Sequence, residues 1–204
     1  AAHADGYAPA TLMALLKHPL TRLGLDPFAI RRAARALEIA AFRTPFFGQG
    51  LDGVEAAIEQ AQHETVSGER RSRAVRRLWV EDWNAARDLM QSLKVAFQPL
   101  ASVTASADAQ AIADLARAHV AVAENLARLP DGDAAPSPLW VGEAGDAAQR
   151  FFTDLLDENL PKVHVPARDY PDLYRSLISG INVRPRVPVH PRLFIWGPFE
   201  ARLQ

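Results

Sequence analysis

The chain has 204 residues, enough for one large domain or two small ones, and its 49% hydrophobic and 23% charged residues are the balance of a protein folding around a buried core. Lys+Arg 23 against Asp+Glu 24 gives a net charge of -1, which excludes a global field that recruits nucleic acid, so any such contact has to be local. Cys is 0, excluding disulfides, a thiolate nucleophile, Cys-ligated zinc and iron–sulfur clusters within the chain, and no apolar run approaches the ~20 residues that span a bilayer.

Residues 1–8 carry no periodicity and are expected to form a mobile lead-in. Pro9 suits the first turn of a helix with Leu12, Leu15 and Leu16 on its apolar face, and Pro19 disfavours helical geometry at His18 and so ends it. After a turn over 20–23 closed by Gly24, Asp26 is placed to cap a helix that starts at Pro27 and runs to about 42. Its inward face is Ile30, Ala33, Ala34, Leu37 and Ala41, with Arg31, Arg35 and Glu38 on the other side. Residues 44–50 form a loop; Asp52 with Glu55 then reads as a capping-box variant, predicting a helix over 53–62 that Ser67 and Gly68 interrupt.

Residues 69–77, ERRSRAVRR, are the densest basic run, and the pattern leaves open whether they form a separate helix or the start of the next one. Trp83, Ala86, Met90, Leu93 and Phe97 alternate at spacings of three and four, which predicts one side of a helix ending at Pro99. Ser106 is expected to cap the following helix with Asp108 in its first turn, a buried stripe of Ile112, Leu115, His119, Val122 and Leu126, and an end near Arg128. Residues 129–138 contain three Pro and form a loop or a boundary between sub-bundles. Gly145 and Asp146 are predicted to start a helix with Gln149 at the capping-box position and Phe151, Phe152, Leu155 and Leu156 inward. Pro161 and Pro166 bracket its exit, and a last helix over 169–179 presents Tyr170, Leu173, Tyr174, Leu177 and Ile178 before a left-handed stop at Gly180.

The end of the chain reads NVRPRVPVHPRLFIWGPFEARLQ over 182–204. Arg184, Arg186 and Arg192 are interleaved with Pro185, Pro188 and Pro191, which fix φ and remove donors, predicting a rigid extended arm. Residues 193–196 give the only convincing strand signal, and a lone strand of four residues needs a sheet that this chain does not supply. The predicted architecture is mainly α: a helical bundle over 1–181, with a possible sub-boundary at 129–138, and an extended arm with one short strand over 182–204. A chain that opens on Ala1 and ends in a nascent helix is expected to be cut from a longer polypeptide.

Candidate chemistry is sparse. On a helix, Arg70, Arg73 and Arg77 would line one face at phosphate-contact spacing, with Arg71 beside them, and Arg184, Arg186 and Arg192 would offer guanidinium groups along the arm. A solvated face paired with Glu64, Glu69 or Glu81, and local pairing along a hinge, are the competing readings. His119 lies on a buried stripe with no second ligand at metal spacing, which favours a satisfied core histidine. Asp154, Asp157 and Glu158 read as a solvated acidic face, and Trp79, Trp83, Trp140, Phe151 and Phe152 as core at helical spacing. The chain has no phosphate-cradling glycine loop with its lysine, no dinucleotide fingerprint, no serine elbow and no HExxH, so no catalytic residue, metal or cofactor is expected.

The terminal HPRLFIWGPFEARLQ resembles the stretch that re-enters the second RecA-like domain in the AddB subunits of bacterial AddAB helicase-nucleases. LLKHPLTRLG over 15–24, IRRAARAL over 30–37 and LWVGEAG over 139–145 match the same family in the same order, covering most of the chain except roughly 41–100. None of these blocks is a catalytic motif. The resemblance implies a mainly helical subdomain inserted in a RecA-like core, a cytoplasmic double-strand break repair complex acting through an AddA-type partner, and contact with DNA through the parent protein. The expected role is non-catalytic bracing, with Arg70, Arg71, Arg73, Arg77, Arg184, Arg186 and Arg192 as candidate DNA contacts and the fragment itself monomeric. A stand-alone helical adaptor that binds only protein is the alternative. A less favoured third reading is an enzyme whose pocket gathers His119, Asp154 and Glu158.

Overall fold

Asp26 accepts hydrogen bonds from the backbone N–H of Phe28 and Ala29, satisfying two of the donors that a helix start leaves free, and the following Pro27 needs none. These two backbone bonds also hold the Asp26 carboxyl below its ordinary range. The helix so begun, α2 (Pro27–Phe42), is one of seven α-helices among the residues that the computed structural model describes, which are 2–43, 45–46, 48–68, 72–157 and 162–183. The others are α1 (Pro9–Leu16), α3 (Gly50–Val66), α4 (Val80–Val103), α5 (Ile112–Ala127), α6 (Gly142–Leu155) and α7 (Tyr170–Ile178). The fold is mainly α, as the periodicity predicts.

Helix α4 is the centre, packing against α2 on one flank and α5 on another, with α3 against both α2 and α4. Its Trp83, Ala86, Met90, Leu93 and Phe97 are all buried, and Ile30, Ala33, Ala34, Leu37 and Ala41 of α2 meet them. The alanines leave little side chain between the axes and so permit close approach. The loop after α1 docks on the end of α5. Arg22 and Leu23 both donate their backbone N–H to the Leu126 carbonyl, and Gly24, at φ +78, donates to that of Arg128, so carbonyls that α5 leaves unpaired are satisfied from another part of the chain. The opposite side of α5 carries a second, aromatic cluster formed with α6 and α7.

Several expectations are corrected. Over residues 2–8 the lead-in is anchored rather than free: Ala2 and Tyr7 are buried, and His3 bonds both Tyr7 and Thr104. Helix α3 begins at Gly50, and Asp52 and Glu55 do not cap it; they reach across to Lys94 Nζ, at 2.6 and 2.5 Å. Helix α4 passes through Pro99 to Val103, because the donor that Pro99 lacks would have met the carbonyl of Val95, a residue 66% exposed where water can substitute. Ser106 and Asp108 bond one another in a local turn, and α5 starts only at Ile112.

Gln110–Ala111 (β1) instead pairs antiparallel with His164–Val165 (β2), a short ladder at positions with no strand periodicity. Helix α6 starts at Gly142, three residues before the predicted Gly145. Gly180 is not left-handed; Ser179 caps α7 in helical geometry. Trp79 is 74% exposed at the start of α4 and so lies outside the core. The strand expected over 193–196 and the arm over 184–192 lie outside the described residues.

Candidate nucleic-acid interface

The 3.6-residue period that turns Ile30, Ala33, Ala34 and Leu37 inward turns Arg31, Arg32 and Arg35 to solvent. Beside them lies the described part of the basic run. Ser72 accepts at its Oγ from the Val75 N–H, starting a 3₁₀ turn over Val75–Arg77, and the Val75 side chain is fully buried in the main core. That anchor, with the turn in contact with α3, sets Arg77 in the wall of a hollow shared with α2. The run is therefore neither an extension of α4 nor, over its described part, an α-helix, and the helical line-up of Arg73 with Arg77 is not built.

Two adjoining hollows of about 310 and 680 Å³ share Arg35, Ile39 and Ala74 in their walls. Arg32, Ala36, Arg77, Leu78 and Asp82 complete the first, and Lys17, Arg31, Glu38 and Arg43 are among those lining the second. Six cationic side chains (Lys17, Arg31, Arg32, Arg35, Arg43 and Arg77) thus face two carboxylates, on a protein whose net charge is -1. Asp82 takes the Arg32 fork through Nε at 3.1 Å and Nη2 at 3.0 Å, while its other oxygen accepts from the Trp79 N–H and caps α4. Glu38 accepts from Lys17 at 2.9 Å and Arg43 at 3.1 Å, and Lys17 above all holds its carboxyl below the ordinary range. Arg35 and Arg77 have no ion-pair partner among the described residues, so the charge in the middle of the concavity is uncompensated.

Such a surface suits a polyanion. Exposed guanidinium groups donate to phosphate oxygens and displace condensed counterions, and the hollows hold no nucleophile beside a base. Of the residues singled out in the sequence, Arg77 lines the concavity and Arg73 is exposed in the turn just before it. Arg70, Arg71, Arg184, Arg186 and Arg192 lie outside the described residues. Arg31, Arg32 and Arg35 are legible only as the cationic outer face of α2; Lys17 at the end of α1, Arg43 at the end of α2 and Arg77 from a turn about forty residues away in sequence join them in space.

Among the described residues, His119 and Asp154 line different hollows. His119 accepts or donates at Nδ1 to the Tyr170 hydroxyl at 3.2 Å and sits edge-on to Phe152, Tyr170 and Tyr174. Burial lowers its pKa to about 4, so it is neutral at pH 7. Asp154 lines a different, polar hollow with Asp146 and Arg150, and Glu158 lies outside the described residues. Among the described residues no group of three or more His, Asp or Glu is placed to hold a metal ion, and no helix is long and apolar enough to cross a membrane. No family model, no curated protein and no solved structure matches the chain.

Proposed function

We propose that this chain is a non-catalytic helical brace for nucleic acid, in the manner expected of the helicase-like region of an AddB-type subunit, and that the outer face of α2 with the Val75–Arg77 turn meets the phosphate backbone. The observation that carries the reading is the concavity in which six cations face two carboxylates, with Arg35 and Arg77 unpaired among the described residues. In a parent complex with an AddA-type partner, ATP hydrolysis and strand cleavage would be supplied elsewhere. This segment would hold the duplex or its unwound strand in place. A protein-only adaptor is the competing reading, favoured by the exposure of Phe28 (72%) and Trp79 (74%).

Fluorescence anisotropy of a labelled duplex with a single-stranded tail separates the two. At low salt the unaltered chain binds, and Arg35→Ala with Arg77→Ala binds about tenfold more weakly, from about 0.7 kcal/mol per exposed guanidinium–phosphate contact. Arg117→Ala, whose guanidinium pairs with Asp114 on α5, leaves the affinity unchanged. Absence of binding at low salt would remove the nucleic-acid reading and leave the adaptor.

A further inference from the structure

A cavity of about 520 Å³ opens between the N-terminal lead-in, the end of α4, α5 and α7, away from the cationic face of α2. Its size falls in the range of small-ligand pockets, and it lies where the main bundle meets the aromatic cluster, a junction of the kind that forms such sites. Leu100, Leu115, Tyr170 and Tyr174 make the wall largely apolar. The rings are held in place before any ligand arrives: His119 meets Tyr174 at 4.7 Å and Tyr170 at 5.9 Å between centroids, both near perpendicular.

The polar wall atoms are few and their states can be deduced. Thr104 donates its hydroxyl to the Leu100 carbonyl at 2.8 Å, so it accepts from His3 Nε2 at 2.9 Å. His3 Nδ1 is then unprotonated and accepts from the Tyr7 hydroxyl at 2.7 Å. This chain is closed on itself. His119 has one ring nitrogen on Tyr170, and the other makes no hydrogen bond among the described residues. Arg168 and Arg175 also line the cavity, both exposed. Each pairs with a neighbouring aspartate, Asp169 and Asp172, through one nitrogen, which leaves other N–H donors of each guanidinium free, and neither aspartate lines the cavity. A cation would meet two arginines and no lining carboxylate; an apolar body with one negative charge meets complementary groups at both ends.

We propose that this cavity binds a small planar aromatic acid, its ring against Tyr174 and His119 and its carboxylate at Arg168 and Arg175. The site is independent of the α2 face. Titration of the chain with 1-naphthoate, followed by ligand-observed NMR and calorimetry beside the uncharged 1-naphthamide, tests it without any variant. The expected result is saturable binding of one equivalent of the acid, with Kd on the order of 0.1–1 mM and at least about fivefold tighter than the amide. Arg168→Gln with Arg175→Gln should erase the preference for the acid, and Ala167→Trp, which fills the space, should abolish binding of both while circular dichroism reports an intact fold. The proposal is overturned by failure of the acid to saturate, by equal binding of acid and amide, or by full affinity in a folded Ala167→Trp chain.

Discussion

His119 releases its proton more readily than a histidine in water, because the imidazolium would be enclosed by Tyr170, Tyr174 and Phe152 with no carboxylate beside it. Its folded pKa of about 4 lies below the ordinary 6.5, so as pH falls the unfolded chain takes up the proton first. The contribution to stability is complete above pH 6.5 and is lost progressively down to about pH 4, by about 3 kcal/mol from this residue. His3, also lowered by burial, adds to the loss in the same direction. Urea unfolding of the His119→Gln chain between pH 4 and 7 should show a flatter dependence on pH than the parent; an equal slope would mean that His119 is not the group responsible. The burial of His119 was legible from its place on the Leu115–Val122 stripe of α5, whereas its partner Tyr170 stands 51 residues further on and gave no local sign.

Helix α6 depends on one close approach. Gly145 lies against the main chain of Trp140, at the end of the 3₁₀ turn Pro138–Trp140, and a Cβ there would fall well inside van der Waals contact with the Trp140 carbonyl carbon. The Trp140 indole N–H in turn donates to Glu124 of α5 at 3.1 Å, so the turn joins α6 to the bundle. Gly145→Ala should therefore destabilise the chain by about 2 kcal/mol or more despite the higher helix propensity of Ala, measured as a shift in the urea midpoint; a neutral or stabilising effect would mean that the turn yields freely. The same region shows what the sequence could convey. Helices α1 and α2 are readable because a proline opens each in agreement with the periodicity, joined in α2 by a capping aspartate. The starts of α3, α5 and α6 were misplaced because the apparent capping residues have other partners: Lys94 takes Asp52 and Glu55, Ser106 and Asp108 take each other, and Gly145 is a packing residue. The β1–β2 ladder, two residues to a strand, is set by tertiary contact alone.

At the scale of the whole molecule, a near-neutral chain concentrates positive charge on one concave face. The mainly helical fold was legible from periodicity; the face was only partly so. The basic run points to Arg77, but the concavity arises because buried Val75 holds the Val75–Arg77 turn across a hollow from the outer side of α2, where the period places Arg31 and Arg35 as ordinary solvent-facing positions. No spacing rule joins two segments so far apart in sequence. If the face holds phosphates, its binding must release counterions in proportion to the contacts made. The most direct measurement is the affinity for a tailed duplex as a function of salt, plotted as log K against log salt, for the parent chain and for Arg35→Ala with Arg77→Ala. The expected result is a negative slope in the parent that becomes shallower by about 2 in the variant. An identical slope in both chains, or affinity that does not respond to salt, would contradict the assignment of this face to nucleic acid.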